Sequence, residues 1–237
     1  MKKLIFSVIV CLILLGCGGD NASVRSIKPS IAIFGDSVTV GIYCDTWPNC
    51  KDLFLNPSPV MVIESKLNIS IAIDDLSVGG ETTSMVLSGA GTYQGVPIPL
   101  KHPPLLTWAQ NTSKDIVVLR IGGADAVLGI DPDVTIANIN NMVTILRTLN
   151  KKIILVGITG VIDGWKGCSN GIFDRAVIIN RKIAELAYAK EIPFVDVRAI
   201  AYDKNDIIDG LHPGRRYSDL QSQSIADTIN TLLSSYQ

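Results

Sequence analysis

The sequence predicts an α/β fold, a three-layer α/β/α sandwich around a central, mostly parallel sheet of about five strands. Two patterns predict it. Short apolar, β-branched runs alternate along the chain with longer stretches whose apolar residues recur at intervals of three and four. The short runs also lack the strict polar and apolar alternation of a half-solvated sheet, so helices must cover both of their faces. In such sheets ligands bind at the carboxyl ends of the strands.

From the N-terminus, Ser30 to Phe34 (SIAIF) is the first strand and leads directly into Gly35-Asp36-Ser37. Ile69 to Ile73 is the second, followed by the turn Gly79-Gly80. Asp115 to Ile121 (DIVVLRI) is the third and stops at Gly122-Gly123, Lys152 to Ile158 is the fourth, and Pro193 to Val197 is the fifth. The clearest helices are Asp133 to Leu149, Phe173 to Lys190 and Arg215 to Leu233. Ser88 to Trp108, rich in glycine and proline, reads as a long loop beside the strand ends. Its Tyr93, Leu105, Leu106 and Trp108 can stack on a sugar or line an acyl groove, although packing of Leu105, Leu106 and Trp108 onto the domain is the plainer expectation.

The start of the chain has a different character. Lys2 and Lys3 precede an apolar run, Leu4 to Leu15, that is too short to span a bilayer at about 20 residues, so residues 1–16 read as a secretory signal. Its end, Leu14-Leu15-Gly16-Cys17, resembles the bacterial lipobox, which implies diacylation of Cys17 and a lipid anchor at the bacterial cell envelope, facing the periplasm or the exterior. Residues 17–28 are small and polar without an apolar period and form a tether, leaving 29–237 as one domain. Loss of Lys2 and Lys3 leaves 19 of 21 basic residues against 22 acidic ones, so the net charge moves from -1 to -3. Such a chain has no electrostatic case for binding nucleic acid. The expected partners are the membrane, through Cys17, and an ester substrate, with the protein itself a monomer.

Cys44, Cys50 and Cys168 lie beyond the export segment, in a compartment where disulfides persist. Cys44 and Cys50 bracket a short loop and are the first choice for a bridge, with Cys44 to Cys168 the alternative. No pair has the spacing of a zinc or redox site, and neither a metal nor another cofactor is expected.

Chemistry concentrates at the two ends of the domain. Ser37 follows the first strand in a glycine-led turn, which presents its hydroxyl to solvent. Near the other end, Asp209-Gly210-Leu211-His212-Pro213 sets an acid three residues before a histidine. A serine nucleophile needs a base, and the base needs an acceptor to orient it. The chain has only two histidines, and His212 alone has a carboxylate this close; His102, in KHPP, reads as a surface or rim residue.

Together these blocks resemble the SGNH (GDSL-like) hydrolase family, whose pattern runs from a GDS block through a glycine block and a G-x-N-D block to a D-x-x-H block. The resemblance covers nearly the whole chain after the tether and is nearest to the secreted thioesterase, lysophospholipase and arylesterase branch. It implies a flavodoxin-like sheet, Ser37 as nucleophile, Asp209 and His212 as acid and base, and the backbone N–H groups of Ser37 and Gly80 as an oxyanion hole. The third block departs from the pattern: Gly122-Gly123-Ala124-Asp125 puts a methyl group where the family has an amide donor. Asp125 reads as a loop residue that bonds nearby backbone amides. The expected activity is hydrolysis of acyl or acetyl esters, with carbohydrate, lipid, thioester and aryl esters all open as substrates. Two alternatives stand beside it, a silent envelope lipoprotein that binds glycans or aids assembly, and an acyltransferase with the same three residues.

Overall fold

The computed structural model describes residues 29–44, 52–162 and 171–235, with only the backbone at Cys44 and Asp52. Cys17, Cys50, Cys168, the signal and the whole tether lie outside the described residues, as does any disulfide among Cys44, Cys50 and Cys168.

Strand β1 (Ile31–Gly35) is followed by a single helical turn, α1 (Ser37–Val40), and by a small hairpin of β2 (Ile42–Cys44) and β3 (Asp52–Phe54). Then come α2 (Pro59–Ser65), β4 (Ile73–Asp75), α3 (Thr83–Ser88), a second small hairpin of β5 (Thr92–Tyr93) and β6 (Val96–Pro97), and α4 (Leu105–Asn111). The rest alternates regularly: β7 (Ile116–Arg120), α5 (Gly123–Leu128), α6 (Pro132–Thr148), β8 (Lys152–Val156), α7 (Ile172–Ala189), β9 (Phe194–Val195) and α8 (Arg215–Ser234). Five strands form one sheet in the order β4-β1-β7-β8-β9, and every pair in it is parallel.

Alternate residues of each central strand serve opposite layers. Ile31, Ile33, Ile116, Val118, Ile154 and Val156 pack with α2 and α8, whereas Phe34, Val117, Leu119, Ile153 and Leu155 pack with α3, α4, α6 and α7. This two-sided burial is why the strands read as continuous apolar runs. Each fully buried aliphatic side chain contributes about 1.5–3 kcal/mol, so β1 and β7, buried along their whole length, form the rigid centre from which the site is hung.

The three long helices lie within one residue of where the apolar spacing puts them. The second strand does not lie where expected: β4 starts at Ile73, the last residue of the apolar run. Ile73 is in register with Ile31, the first residue of β1. By the same register Ile71 is level with Pro29, which has no N–H to donate, and Ile69 and Ile71 rest against the α2–α8 layer instead. The Ser88–Trp108 segment is likewise not one loop, since it holds the end of α3, the β5–β6 hairpin and the first turn of α4. Leu105 is fully buried and Trp108 meets Phe34 edge to face at 4.8 Å, but Leu106 is exposed.

Candidate active site

β1 ends at Gly35 in the middle of the sheet, and the chain turns at Asp36. The carboxylate of Asp36 caps the short α1 by accepting the N–H of Val38 at 3.1 Å, which leaves Ser37 as the first helical residue. Gly41, in the left-handed region, ends the turn after four residues.

The 209–213 loop, between β9 and α8, reaches the same turn. Asp209 is buried, and its Oδ1 accepts the N–H groups of Leu211 at 3.0 Å and His212 at 2.7 Å. Its Oδ2 lies 2.7 Å from His212 Nδ1. With Nδ1–H donated to this carboxylate, Nε2 carries the lone pair and accepts the Ser37 hydroxyl at 2.8 Å. An N–H of Ile208 donated to the His212 carbonyl and a bridge between Ile207 and Pro213 close the loop on itself. Ser37, His212 and Asp209, up to 175 positions apart, thus stand in one hydrogen-bonded line.

Two N–H groups beside that line, those of Ser37 and Gly80, donate to no acceptor among the described residues. Gly80 has φ +77°, and a Cβ there would meet the Tyr93 ring at 2.7 Å, so glycine is required on both counts. The N–H of Val78, donated to the Gly35 carbonyl at 3.0 Å, ties this loop to the end of β1. On the other side Gly123 gives its N–H to Asp36 Oδ2 at 3.1 Å, and a Cβ there would approach that oxygen to 2.6 Å. Ala124 follows in the first turn of α5, buried against the cavity.

Burial pushes the Asp36 carboxyl above its ordinary pKa, against the pull of the Val38 N–H and of the nearby Arg120 and His212. Arg120, the last residue of β7 and in register with Gly35, is buried too, and its pKa falls to about 10 because the charge is desolvated. Its guanidinium donates to Thr159 Oγ1 at 3.3 Å and to Gln221 Oε1 of α8. No feature of the sequence marked this network, because an arginine at the end of an apolar strand gives no local sign of the glutamine 101 positions away that accepts from it.

Two expectations are corrected. His102 is not on the surface or rim: its side chain is fully buried, Nδ1–H donates to the Pro103 carbonyl at 2.8 Å, and Nε2 meets Glu81 Oε1 at 2.7 Å. One proton is shared across that contact. Burial alone would lower the His102 pKa, but the Glu81 hydrogen bond and the Pro103 carbonyl hold it above its usual value. Asp125 does bond a backbone amide, but from inside α5 rather than from a loop, and the partner is distant: it accepts Thr83 N–H at 2.9 Å and Thr83 Oγ1 at 2.6 Å, which fastens α3 to α5.

The Ser37–His212 pair opens into a cavity of about 680 Å³. The arrangement can deprotonate a serine hydroxyl while a carboxylate stabilises the resulting imidazolium, with two N–H groups at hand for a developing oxyanion.

A family model described as GDSL-like lipase/acylhydrolase matches residues 33–217. No curated protein matches the chain. Among solved structures, the chain is similar to a carbohydrate acetylesterase family member from Sinorhizobium meliloti, at 16% identity over 87% of this chain and 99% of that one, with a TM-score of 0.70. It is similar to an aryl esterase from M. Smegmatis at 16% identity, 86% and 99% coverage and a TM-score of 0.67. The lipase/acylhydrolase from Enterococcus faecalis aligns at 19% identity, 86% and 96% coverage and a TM-score of 0.64. At these identities the likeness establishes the fold alone.

Proposed function

The chain belongs to the GDSL-like lipase/acylhydrolase family, the SGNH hydrolases, and is an ester hydrolase; from that premise we propose that Ser37 is its nucleophile, His212 its base and Asp209 the acid, acting at the cell envelope. The observation that carries the reading is the unbroken line from Ser37 Oγ through the His212 ring to Asp209, with contacts of 2.8 and 2.7 Å.

His212 Nε2 takes the hydroxyl proton as Ser37 Oγ bonds to the ester carbonyl carbon. Asp209 holds the ring in the productive tautomer and stabilises its cation. The N–H groups of Ser37 and Gly80 receive the negative carbonyl oxygen. Collapse of the adduct expels the alcohol, which takes the proton from His212. Water then attacks the acyl group by the same route and releases the acid.

Ala124 is the one feature that favours a silent binding module. The uncommitted Ser37 and Gly80 N–H groups and the intact hydrogen-bonded line speak for turnover instead. The LLGC segment supports delivery to the envelope with a diacylated Cys17. Labelling by a fluorophosphonate probe tests the nucleophile. The wild type should label and hydrolyse p-nitrophenyl esters, and Ser37→Ala should do neither while keeping its fold. Turnover retained by the purified variant would remove Ser37 from the mechanism.

A further inference from the structure

The loop that carries Gly80 is fastened at three points. Its start is tied to β1, where the N–H of Val78 donates to the Gly35 carbonyl at 3.0 Å. Its end is tied to α5, where Asp125 accepts the N–H of Thr83 at 2.9 Å and its hydroxyl at 2.6 Å. Between them stands Glu81, next to Gly80 and wholly buried, with its N–H donated to the Val78 carbonyl at 3.1 Å. Its Oε1 meets His102 Nε2 at 2.7 Å. The His102 ring sits edge to face on Phe34 of β1, with centroids 4.9 Å apart, and its Nδ1–H is held by the Pro103 carbonyl at 2.8 Å. Phe34 lies three residues before Ser37.

This middle fastening is polar where an apolar contact would bury at less cost. The pairing is also incomplete, since Glu81 Oε2 is buried without a partner among the described residues. His102 is what holds the carboxyl. A hydrogen bond, unlike an apolar contact, fixes direction as well as distance, because it weakens steeply as it bends. Direction is what the neighbouring residue lacks: Gly80 has φ +77° and no Cβ to limit its rotation, so the aim of its N–H is set by the residues on either side. That aim matters more here than where an amide stands in the third block, because Ala124 offers only a methyl group. The side chains of Glu81 and His102 do not line the cavity, so they touch no substrate.

Resting on the proposed roles of Ser37, His212 and the Ser37 and Gly80 N–H groups, we infer that Glu81 and His102 are positioning residues of the reaction, whose buried hydrogen bond aims the Gly80 N–H at the developing oxyanion. The pair acts through the backbone, and its effect falls on the transition state rather than on substrate binding.

The test compares Glu81→Ala, His102→Phe and Glu81→Gln with the wild type, by steady-state hydrolysis of p-nitrophenyl butyrate and by the rate of fluorophosphonate labelling. Counting kcat per labelled serine keeps unfolded protein out of the comparison. Glu81→Ala and His102→Phe are expected to lose about tenfold to 10²-fold in kcat with KM nearly unchanged, the effect of a donor displaced by about an ångström. Labelling should slow in parallel, because the phosphonyl oxygen takes the place of the oxyanion. In Glu81→Gln the amide N–H can donate to His102 Nε2 and restore the bond, so most of kcat should return. Unchanged kcat in Glu81→Ala and His102→Phe, folded by their melting curves, in a protein whose Ser37 still labels, overturns the positioning role and leaves the nucleophile standing. A rise in KM alone does the same, as does a Glu81→Gln variant as slow as Glu81→Ala. No labelling and no turnover by the wild type overturns both readings. If Glu81→Ala does not fold, His102→Phe, which keeps an aromatic ring on Phe34, reads the same loss.

Discussion

Asp36 Oδ2 accepts the N–H of Gly123 at 3.1 Å, and this bond joins the turn that carries Ser37 to the turn that carries Ala124. The two turns follow neighbouring strands, β1 and β7, so one carboxylate sets the spacing between Ser37, the proposed nucleophile, and Ala124. An asparagine here keeps only one oxygen and turns an N–H₂ toward a backbone donor.

Asp36→Asn is therefore expected to leave one of the Val38 and Gly123 N–H groups without a partner, at a cost on the order of 1–3 kcal/mol. The loss of the charge near Arg120 adds to it. The melting temperature should fall, and kcat should drop by about tenfold or more with little change in KM, because the damage is to geometry at the reacting centre. Steady-state kinetics beside a melting curve check both; an unchanged kcat would show that the tie between the turns does not position the site.

Ala124 faces the cavity from the first turn of α5 with only a methyl group. Ala124→Asn should raise kcat on p-nitrophenyl acetate by about tenfold, less than the ~10²-fold that a supported donor can bring, since nothing around the new amide has been shaped to hold it. A fall in both kcat and melting temperature would instead show that a group from the β5–β6 hairpin, such as Tyr93 packed on Gly80, already occupies that place.

The buried His102–Glu81 pair predicts a slope of stability with pH. The folded pKa of His102 lies above the ordinary 6.5, held up by Glu81 and the Pro103 carbonyl against the cost of burial, and that of Glu81 is raised by burial. Both shifts have the same sign, so the pair contributes fully below the unfolded values and its contribution is lost as pH rises through the folded ones. Melting temperature should begin to decline above about pH 4.5, the ordinary value of Glu81, and decline further above 6.5, that of His102, and His102→Gln should melt lower at pH 6 with a shallower decline. Asp36 and Lys101 act on Glu81 in opposite directions and are unchanged in both proteins. Parallel slopes in wild type and variant would assign the decline to other groups.

Anchoring is checked by intact mass. The mature chain should begin at Cys17 and carry two added acyl chains, which hold a protein at a membrane where one binds only marginally. Cys17→Ser should lack the added mass and leave the membrane fraction. A wild-type chain without acyl mass would make this a freely secreted esterase.

The sequence by itself determined the layers and the helices. Apolar spacing is a local property, and it placed Pro132–Thr148, Ile172–Ala189 and Arg215–Ser234 within a residue of their ends. It also marked Ser37, Asp209 and His212 as candidates, because the GDS turn and the D-x-x-H spacing are short local blocks that together resemble one family's pattern. Only the tertiary structure decided where β4 begins, since a strand exists where a neighbouring backbone can pair with it, and the pairing of β4 with β1 starts at Ile73 and Ile31. The burial of His102 was equally invisible: a histidine between a lysine and two prolines has no period to read, and its partner Glu81 is 21 positions away. The same holds for Asp125 with Thr83 and for Arg120 with Gln221. Hydrogen bonds and cavities belong to pairs of distant residues, and their chemistry appears only when folding brings the two members together.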